Sequence, residues 1–151
     1  MSDVHAQLMQ KAIELLARRE QGAMELAAKL SVKVPTASEA AVAEVIATLK
    51  EKGWLDEQRF VEAAVRHHLQ RGDGPLKIRQ KLAGKLEESW RLDEALALAD
   101  AEWAEAARQA LMKKFGEAQR PREPKEVARR LRFLRNRGFT QAQCWAAFEQ
   151  E

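Results

Sequence analysis

The chain has 151 residues, a net charge of +3, 32% charged and 46% hydrophobic residues, four prolines, no tyrosine and one cysteine. That length suits one ordinary domain and excludes two large ones. The lone cysteine excludes an internal disulfide, and the absence of apolar runs near 18 residues excludes a membrane span.

Ala, Leu, Glu, Lys, Arg and Gln dominate, and these are strong helix formers. No stretch alternates apolar and polar residues over a strand's length, so an all-α protein with essentially no sheet is expected. Met1-Ser2-Asp3-Val4-His5 carries no basic region followed by an apolar core. No secretory signal is therefore expected, and the cytoplasm is the default compartment.

In chain order, the first segment with a recognisable frame is Ala23-Met24-Glu25-Leu26-Ala27-Ala28-Lys29-Leu30. It returns as Pro75-Leu76-Lys77-Ile78-Arg79-Gln80-Lys81-Leu82 and as Pro124-Lys125-Glu126-Val127-Ala128-Arg129-Arg130-Leu131, at offsets of 52 and 49 residues. Each places an aliphatic residue four positions before a Leu and a base just before that Leu. Arg19, Arg71 and Arg120 precede the three copies at one common distance.

The helix ahead of each segment also recurs: Phe60-Val61-Glu62-Ala63-Ala64 matches Trp103-Ala104-Glu105-Ala106-Ala107, with a looser copy from Leu8 to Ala12. A third helix is expected over Ser38 to Lys50, Ser89 to Ala99 and Thr140 to Phe148. The expected architecture is three tandem three-helix repeats, 1–55, 56–102 and 103–151, stacked into an elongated, curved body.

Punctuation agrees with this division. Pro75 and Pro124 suit a first helical position. Thr36-Ala37-Ser38-Glu39 and Thr140-Gln141-Ala142-Gln143 read as capping boxes, and Asp56 as a cap for the helix after the Gly53-Trp54-Leu55 corner. Gly53, Gly116 and Gly138 fall where helices should end. Val42/Val45/Ile46/Leu49 and Val127/Leu131/Leu134 are the expected core faces. Trp54, Trp90, Trp103 and Trp145 are expected to plug joints between helices.

Catalytic chemistry finds little support. His67 and His68 are adjacent and point about 100° apart on a helix, so they do not face one metal. Cys144 reads as core, because no His is placed to activate it. Arg71-Gly72-Asp73-Gly74-Pro75 lacks the lysine and strand–loop–helix setting of a phosphate loop and reads as a helix–helix turn whose N–H groups offer a weak anion site. No enzyme, no metal and no cofactor is expected.

The charge distribution is the strongest functional signal. From Arg108 to Arg137 there are eleven Lys/Arg against three Glu, leaving the rest of the chain at −5. On charge alone, a solvated helix face and a polyanion-binding surface stand level. The candidate contact residues are Arg71, Lys77, Arg79 and Lys81 in the second repeat. In the third they are Lys125, Arg129, Arg130, Arg132 and Arg135, with Arg137 beside them. Arg129 and Arg132 share a helix face, while Arg130 points elsewhere. Each phosphate neutralised by such residues releases counterions. Aromatic residues among them are few, which disfavours a dedicated single-strand platform.

Gly53-Trp54-Leu55-Asp56 followed by Arg59-Phe60 resembles the RecX family of recombinase regulators. The resemblance continues through Gly72-Asp73-Gly74-Pro75, Ile78-Arg79 and Lys81-Leu82. Leu15-Leu16-Ala17-Arg18-Arg19-Glu20, with Glu25-Leu26 and Lys29-Leu30, fits the family opening, and Phe133-Leu134-Arg135-Asn136-Arg137-Gly138-Phe139 its close. Gly84-Lys85-Leu86, Asp73 and His67-His68 depart from the usual pattern. The resemblance covers nearly the whole chain. It implies tandem three-helix repeats and a non-enzymatic role in DNA repair, homologous recombination and the SOS response. The implied partner is the RecA filament on single-stranded DNA, bound in its groove, with inhibition of its ATPase, strand-exchange and coprotease activities. A weak direct DNA contact and a monomeric state complete the expectation.

Overall fold

The structure is a computed structural model describing residues 3–98 and 100–149. Its described residues form nine helices: α1 (Asp3–Arg18), α2 (Ala23–Lys33), α3 (Glu39–Glu51), α4 (Glu57–Gln70), α5 (Pro75–Leu82), α6 (Trp90–Leu96), α7 (Asp100–Phe115), α8 (Pro124–Asn136) and α9 (Gln141–Ala146). Among the described residues the only extended pairing is an isolated bridge between Gln119 and Glu149. The protein is therefore all-α. The helix expected to reach Ala99 ends at Leu96; Ala99 itself, like Met1 and Ser2, lies outside the described residues.

Capping chemistry sets most boundaries. The Asp56 carboxylate accepts from the N–H groups of Gln58 (2.9 Å) and Arg59 (3.2 Å) at the start of α4. Thr140 and Gln143 form the reciprocal box at α9, with Gln143 N–H donating to Thr140 Oγ1 and Thr140 N–H to Gln143 Oε1. The box expected at Thr36 does not form. Pro35 and Thr36 make a turn, and Ser38 becomes the cap, its hydroxyl accepting from Ala41 N–H at 3.1 Å.

Packing gathers the chain into two compact units, one comprising 1–63 and 82–93, the other 64–81 and 94–151. In the first, the i, i+3, i+4 spacing of α3 buries Val42, Val45, Ile46 and Leu49 against Leu8, Ala12, Leu26 and Leu30. Leu55 closes this core after Gly53, whose φ of +74° turns the chain sharply. In the second unit Trp103 meets Phe139 edge to face at 6.5 Å, with Leu111, Leu134 and Cys144 also buried.

Each unit contains the same helix-end joint. In the first, the N–H groups of Met24 and Glu25 at the start of α2 donate to the carbonyl of Lys85, 3.1 Å each, just past the end of α5. In the second, Gly74 N–H donates to Arg137 O (2.6 Å) and Leu76 N–H to Gly138 O (2.9 Å), just past the end of α8. A helix start has unpaired N–H groups and a helix end has unpaired carbonyls, so each end satisfies the other. The approach is close enough to need glycine. A Cβ on Gly22 would overlap the Lys85 carbonyl, and one on Gly74 would stand 2.6 Å from Gly138 O. The Gly72-Asp73-Gly74-Pro75 turn therefore does not offer a free anion site, because its helix-start donors are already taken.

Three tryptophans depart from the expected role. Only Trp103 is buried; Trp54, Trp90 and Trp145 are 48%, 47% and 41% exposed. Leu55 takes the inward place beside Trp54, and Cys144 the inward place beside Trp145. Each exposed indole carries a cation on its ring: Lys52 at 5.1 Å, Arg91 at 4.4 Å and Arg120 at 5.0 Å. Leu131 is half-buried rather than core, while Arg130 faces inward.

Candidate functional site

All nine candidate basic residues fall within the second unit. Arg71, Arg79, Lys81, Lys125, Arg129, Arg132 and Arg135 are exposed, Lys77 is half-buried and Arg130 is buried. Among the described residues Arg71, Lys81, Lys125, Arg132 and Arg135 have no carboxylate within ion-pair distance. Cations held without a partner on a folded surface are the part of the set that a polyanion or an acidic protein face can neutralise.

The other members are partly committed inside the fold. Arg129 pairs with Glu126 at 3.0 Å yet keeps a 61% exposed side chain. Lys77 stands 3.8 Å from Asp73 Oδ1. Arg130 departs furthest from a contact role. Its stem fills the inward face of α8 and its head pairs with Glu117 and Glu126, 3.2 Å each, over the face of Phe115 at 4.8 Å. A long apolar stem with a charged tip suits that largely covered position.

Asp73 is the hub of the turn. It is 1% exposed, and its carboxylate lies 2.8 Å from His68 Nδ1 and 3.3 Å from Arg137 Nη2. Arg137 also donates from Nε to the Gly72 carbonyl at 3.2 Å and from Nη2 to that of Arg71. Asp73 thus holds the turn on the end of α8 and does not stand in the path of a partner as an exposed acid. Its sequence neighbours give no hint of this, since Arg137 is distant along the chain.

Glu57 is the equivalent unforeseen anchor in the first unit. Its buried carboxylate accepts from Ala23 N–H (2.7 Å), Glu87 N–H (3.0 Å) and Glu88 N–H (2.7 Å). Arg59 fastens the same region through Glu20 (2.9 Å) and the Gly53 carbonyl (2.8 Å). The Gly53-to-Phe60 run is therefore a structural motif: Leu55 and Phe60 are core, and Asp56, Glu57 and Arg59 are fasteners.

Glu25 belongs with these fasteners. Burial disfavours its charge, but the Arg19 guanidinium at 2.8 Å, the Gly22 N–H at 3.2 Å and Lys85 at 3.4 Å outweigh burial and lower its pKa to about 2. Cys144 behaves in the opposite sense. Burial pushes its thiol pKa up, with Arg135 opposing, so the thiolate needed for nucleophilic chemistry is disfavoured. Among the described residues no group of three or more His, Cys, Asp or Glu is placed to hold a metal. No helix there is long and apolar enough to cross a membrane. An apolar groove of about 540 Å³ between α2 and α3, lined by Met24, Ala27, Ala43 and Ile46, lies in the first unit and contains none of the candidate cations.

The fold and its basic unit define an all-helical protein of tandem three-helix construction. Family models describing the second and third three-helix domains of RecX match residues 56–85 and 100–148. The regulatory protein RecX of Halorhodospira halophila is 40% identical over 136 residues, covering 90% of this chain and 83% of its own. That of Vibrio vulnificus is 35% identical over 140 residues, covering 93% and 90%. The chain belongs to the RecX family, whose relatives carry the name of regulatory proteins. Two crystal structures share the fold. RecX from Lactobacillus salivarius superposes with a TM-score of 0.77 at 18% identity, covering 97% of this chain and 96% of that one. A second regulatory protein RecX gives 0.74 at 22% identity, covering 96% and 71%.

Proposed function

We propose that this protein is a non-enzymatic negative modulator of the RecA recombinase, acting as three repeats bounded at 1–55, 56–102 and 103–151. It binds the RecA filament on single-stranded DNA and lowers its ATPase, strand-exchange and coprotease activities. The protein works as a cytoplasmic monomer. The observation that carries this reading is the set of exposed cations gathered on the second unit, all but Arg129 without a carboxylate partner among the described residues, in a chain of the RecX family. Arg71, Lys81, Lys125, Arg129, Arg132 and Arg135 are the contact residues; Arg130 is not among them because its charge is spent on Glu117 and Glu126. Many modest contacts along a repeating filament add through effective concentration, so no single deep pocket is required.

Co-sedimentation with RecA filaments formed on long single-stranded DNA tests this. Wild-type protein should pellet with filaments. Arg129→Glu with Arg132→Glu should need roughly tenfold more protein for equal retention, the effect of about 1.4 kcal/mol. Both side chains are exposed, so circular dichroism should be unchanged. Failure of wild-type protein to pellet at saturating filament overturns the reading.

A further inference from the structure

We propose that the second unit carries a docking site for an acidic protein segment that offers one large apolar side chain. The site is the concavity between the loop after α7, the start of α8 and α9. It holds about 480 Å³ and is walled by Pro121, Pro124, Val127, Leu131 and Trp145, with Arg120 and Arg122 also lining it.

Two departures from a closed core create this concavity. The rotation of α8 aims Arg130 at Glu117, Glu126 and Phe115, which leaves Leu131 half-buried at the cavity. In α9, Cys144 is buried and Trp145 turns outward. An exposed indole beside exposed proline is apolar surface that the fold leaves uncovered. That surface is nevertheless fixed. The Arg120 guanidinium lies over the Trp145 ring at 5.0 Å, and Phe148 meets it edge-on at 6.1 Å. The loop is anchored by buried Ala118, whose carbonyl accepts from Glu149 N–H at 2.9 Å, and by the bridge from Gln119 to Glu149. Pro121 and Pro124 fix two further φ angles. Walls that are already rigid lose little freedom when a ligand arrives. A cation over an exposed indole is found at Trp54 and Trp90 also; the cavity beside Trp145 is what suits it to a ligand.

Charge decides the occupant. Arg120 and Arg122 are exposed and have no carboxylate within ion-pair distance among the described residues. None of the lining residues is acidic except by approach from outside: Glu117 and Glu126 pair with Arg130, and Glu149 lies 3.9 Å from Arg108. A segment with carboxylates on both sides of an apolar anchor fills the cavity and neutralises both arginines. The walls favour a peptide over a nucleic acid. A base stacks on a flat aromatic face, and Arg120 already lies over the Trp145 ring. Proline, valine and leucine walls suit a leucine or phenylalanine side chain. Arg120, Arg122 and Trp145 are not among the proposed filament contacts, so this site goes beyond that reading.

The full chain is titrated, without recombinase, against a fluorescein-labelled decapeptide of aspartate and glutamate with one central phenylalanine, followed by anisotropy. Wild-type protein should bind it. Arg120→Glu with Arg122→Glu should weaken binding roughly tenfold or more, since two contact charges are reversed. Lys33→Glu with Lys52→Glu, the same change of net charge in the first unit, should weaken it less than about threefold, because distant exposed charges are screened. Replacing the peptide's phenylalanine by serine should weaken binding roughly tenfold, the loss of one buried aromatic anchor; that change leaves the protein untouched. Trp145→Ala should weaken the peptide roughly fivefold with circular dichroism unchanged, while a thymidine oligonucleotide of equal charge should change less than about twofold. Absence of peptide binding, equal losses from the two charge-reversed pairs, or indifference to the phenylalanine overturns the site. A Trp145→Ala loss as large for the oligonucleotide as for the peptide gives the cavity to nucleic acid and overturns the peptide. Sedimentation of the chain alone as a dimer that Trp145→Ala dissociates gives the cavity to a second copy, with the same consequence.

Discussion

Gly74→Ala should be among the most damaging one-carbon additions in this protein. Gly74 sits in the joint between the start of α5 and the end of α8, where an added Cβ would stand 2.6 Å from both Gly138 O and Phe139 N. Those are backbone atoms, so no side chain can swing aside. Gly74 has no positive φ, so the cost is steric and not conformational. Forced overpacking costs about 1–3 kcal/mol. Opening the joint also weakens the hydrogen bonds Gly74 N–H to Arg137 O and Leu76 N–H to Gly138 O, worth about 1 kcal/mol each. The expected loss is about 2–4 kcal/mol, or roughly 5–15 °C in melting temperature for a chain of this size. Gly53→Ala is the comparison. Gly53 has a φ of +74° and nothing within 4 Å of a Cβ, so its cost is the left-handed backbone alone, about 1–2 kcal/mol. Urea unfolding followed by circular dichroism measures both. A Gly74→Ala loss under about 0.5 kcal/mol, or one smaller than that of Gly53→Ala, would refute the joint.

Glu25 gives a pH signature. Its pKa is lowered from 4.5 to about 2, so its contribution is fully present above about pH 4.5 and is lost as pH falls toward 2. Glu25→Gln should cost about 1–2 kcal/mol at pH 7, a value discounted because Arg19 and Lys85 are 49% and 39% exposed. The difference from wild type in urea midpoint should shrink between pH 4.5 and 2; a constant difference across that window rules the ion cluster out as its source. On α8, Leu134→Ala should cost about 2–5 kcal/mol because the side chain is fully buried. Leu131→Ala should cost roughly 1 kcal/mol, since its half-exposed side chain has less contact to lose. Equal losses at the two positions would contradict the observed rotation of α8.

The helical unit was legible in the sequence because it rests on local signals. Pro75, Pro124, Asp56 and Thr140 act within three or four residues of themselves, and their helices begin where those signals say. The core faces were half legible. Val127 and Leu134 are seven apart and both are buried, but the residue between them that turns inward is Arg130 and not Leu131. Hydrophobicity alone picks the leucine. Phe115 and Glu117, which make the inward place acceptable to an arginine, come from the end of α7 and the loop after it. Glu57 and the Arg137 contact of Asp73 were illegible for the same reason, since those partners are brought together only by tertiary folding. The exposed tryptophans show the converse error. Aromatic residues at helical spacing suggest core, yet Leu55 and Cys144 occupy the inward places beside Trp54 and Trp145. For the basic face, composition located the charge but not its pairing. Arg120 and Arg122 became distinct from Arg130 only when ion pairs were placed in space.

The response of RecA itself tests the proposed function most directly. Its ATPase on single-stranded DNA should be measured as this protein is titrated in. ATPase should fall at substoichiometric protein, with inhibition weakened by Arg129→Glu and Arg132→Glu together. ATPase unchanged at saturating wild-type protein would contradict it.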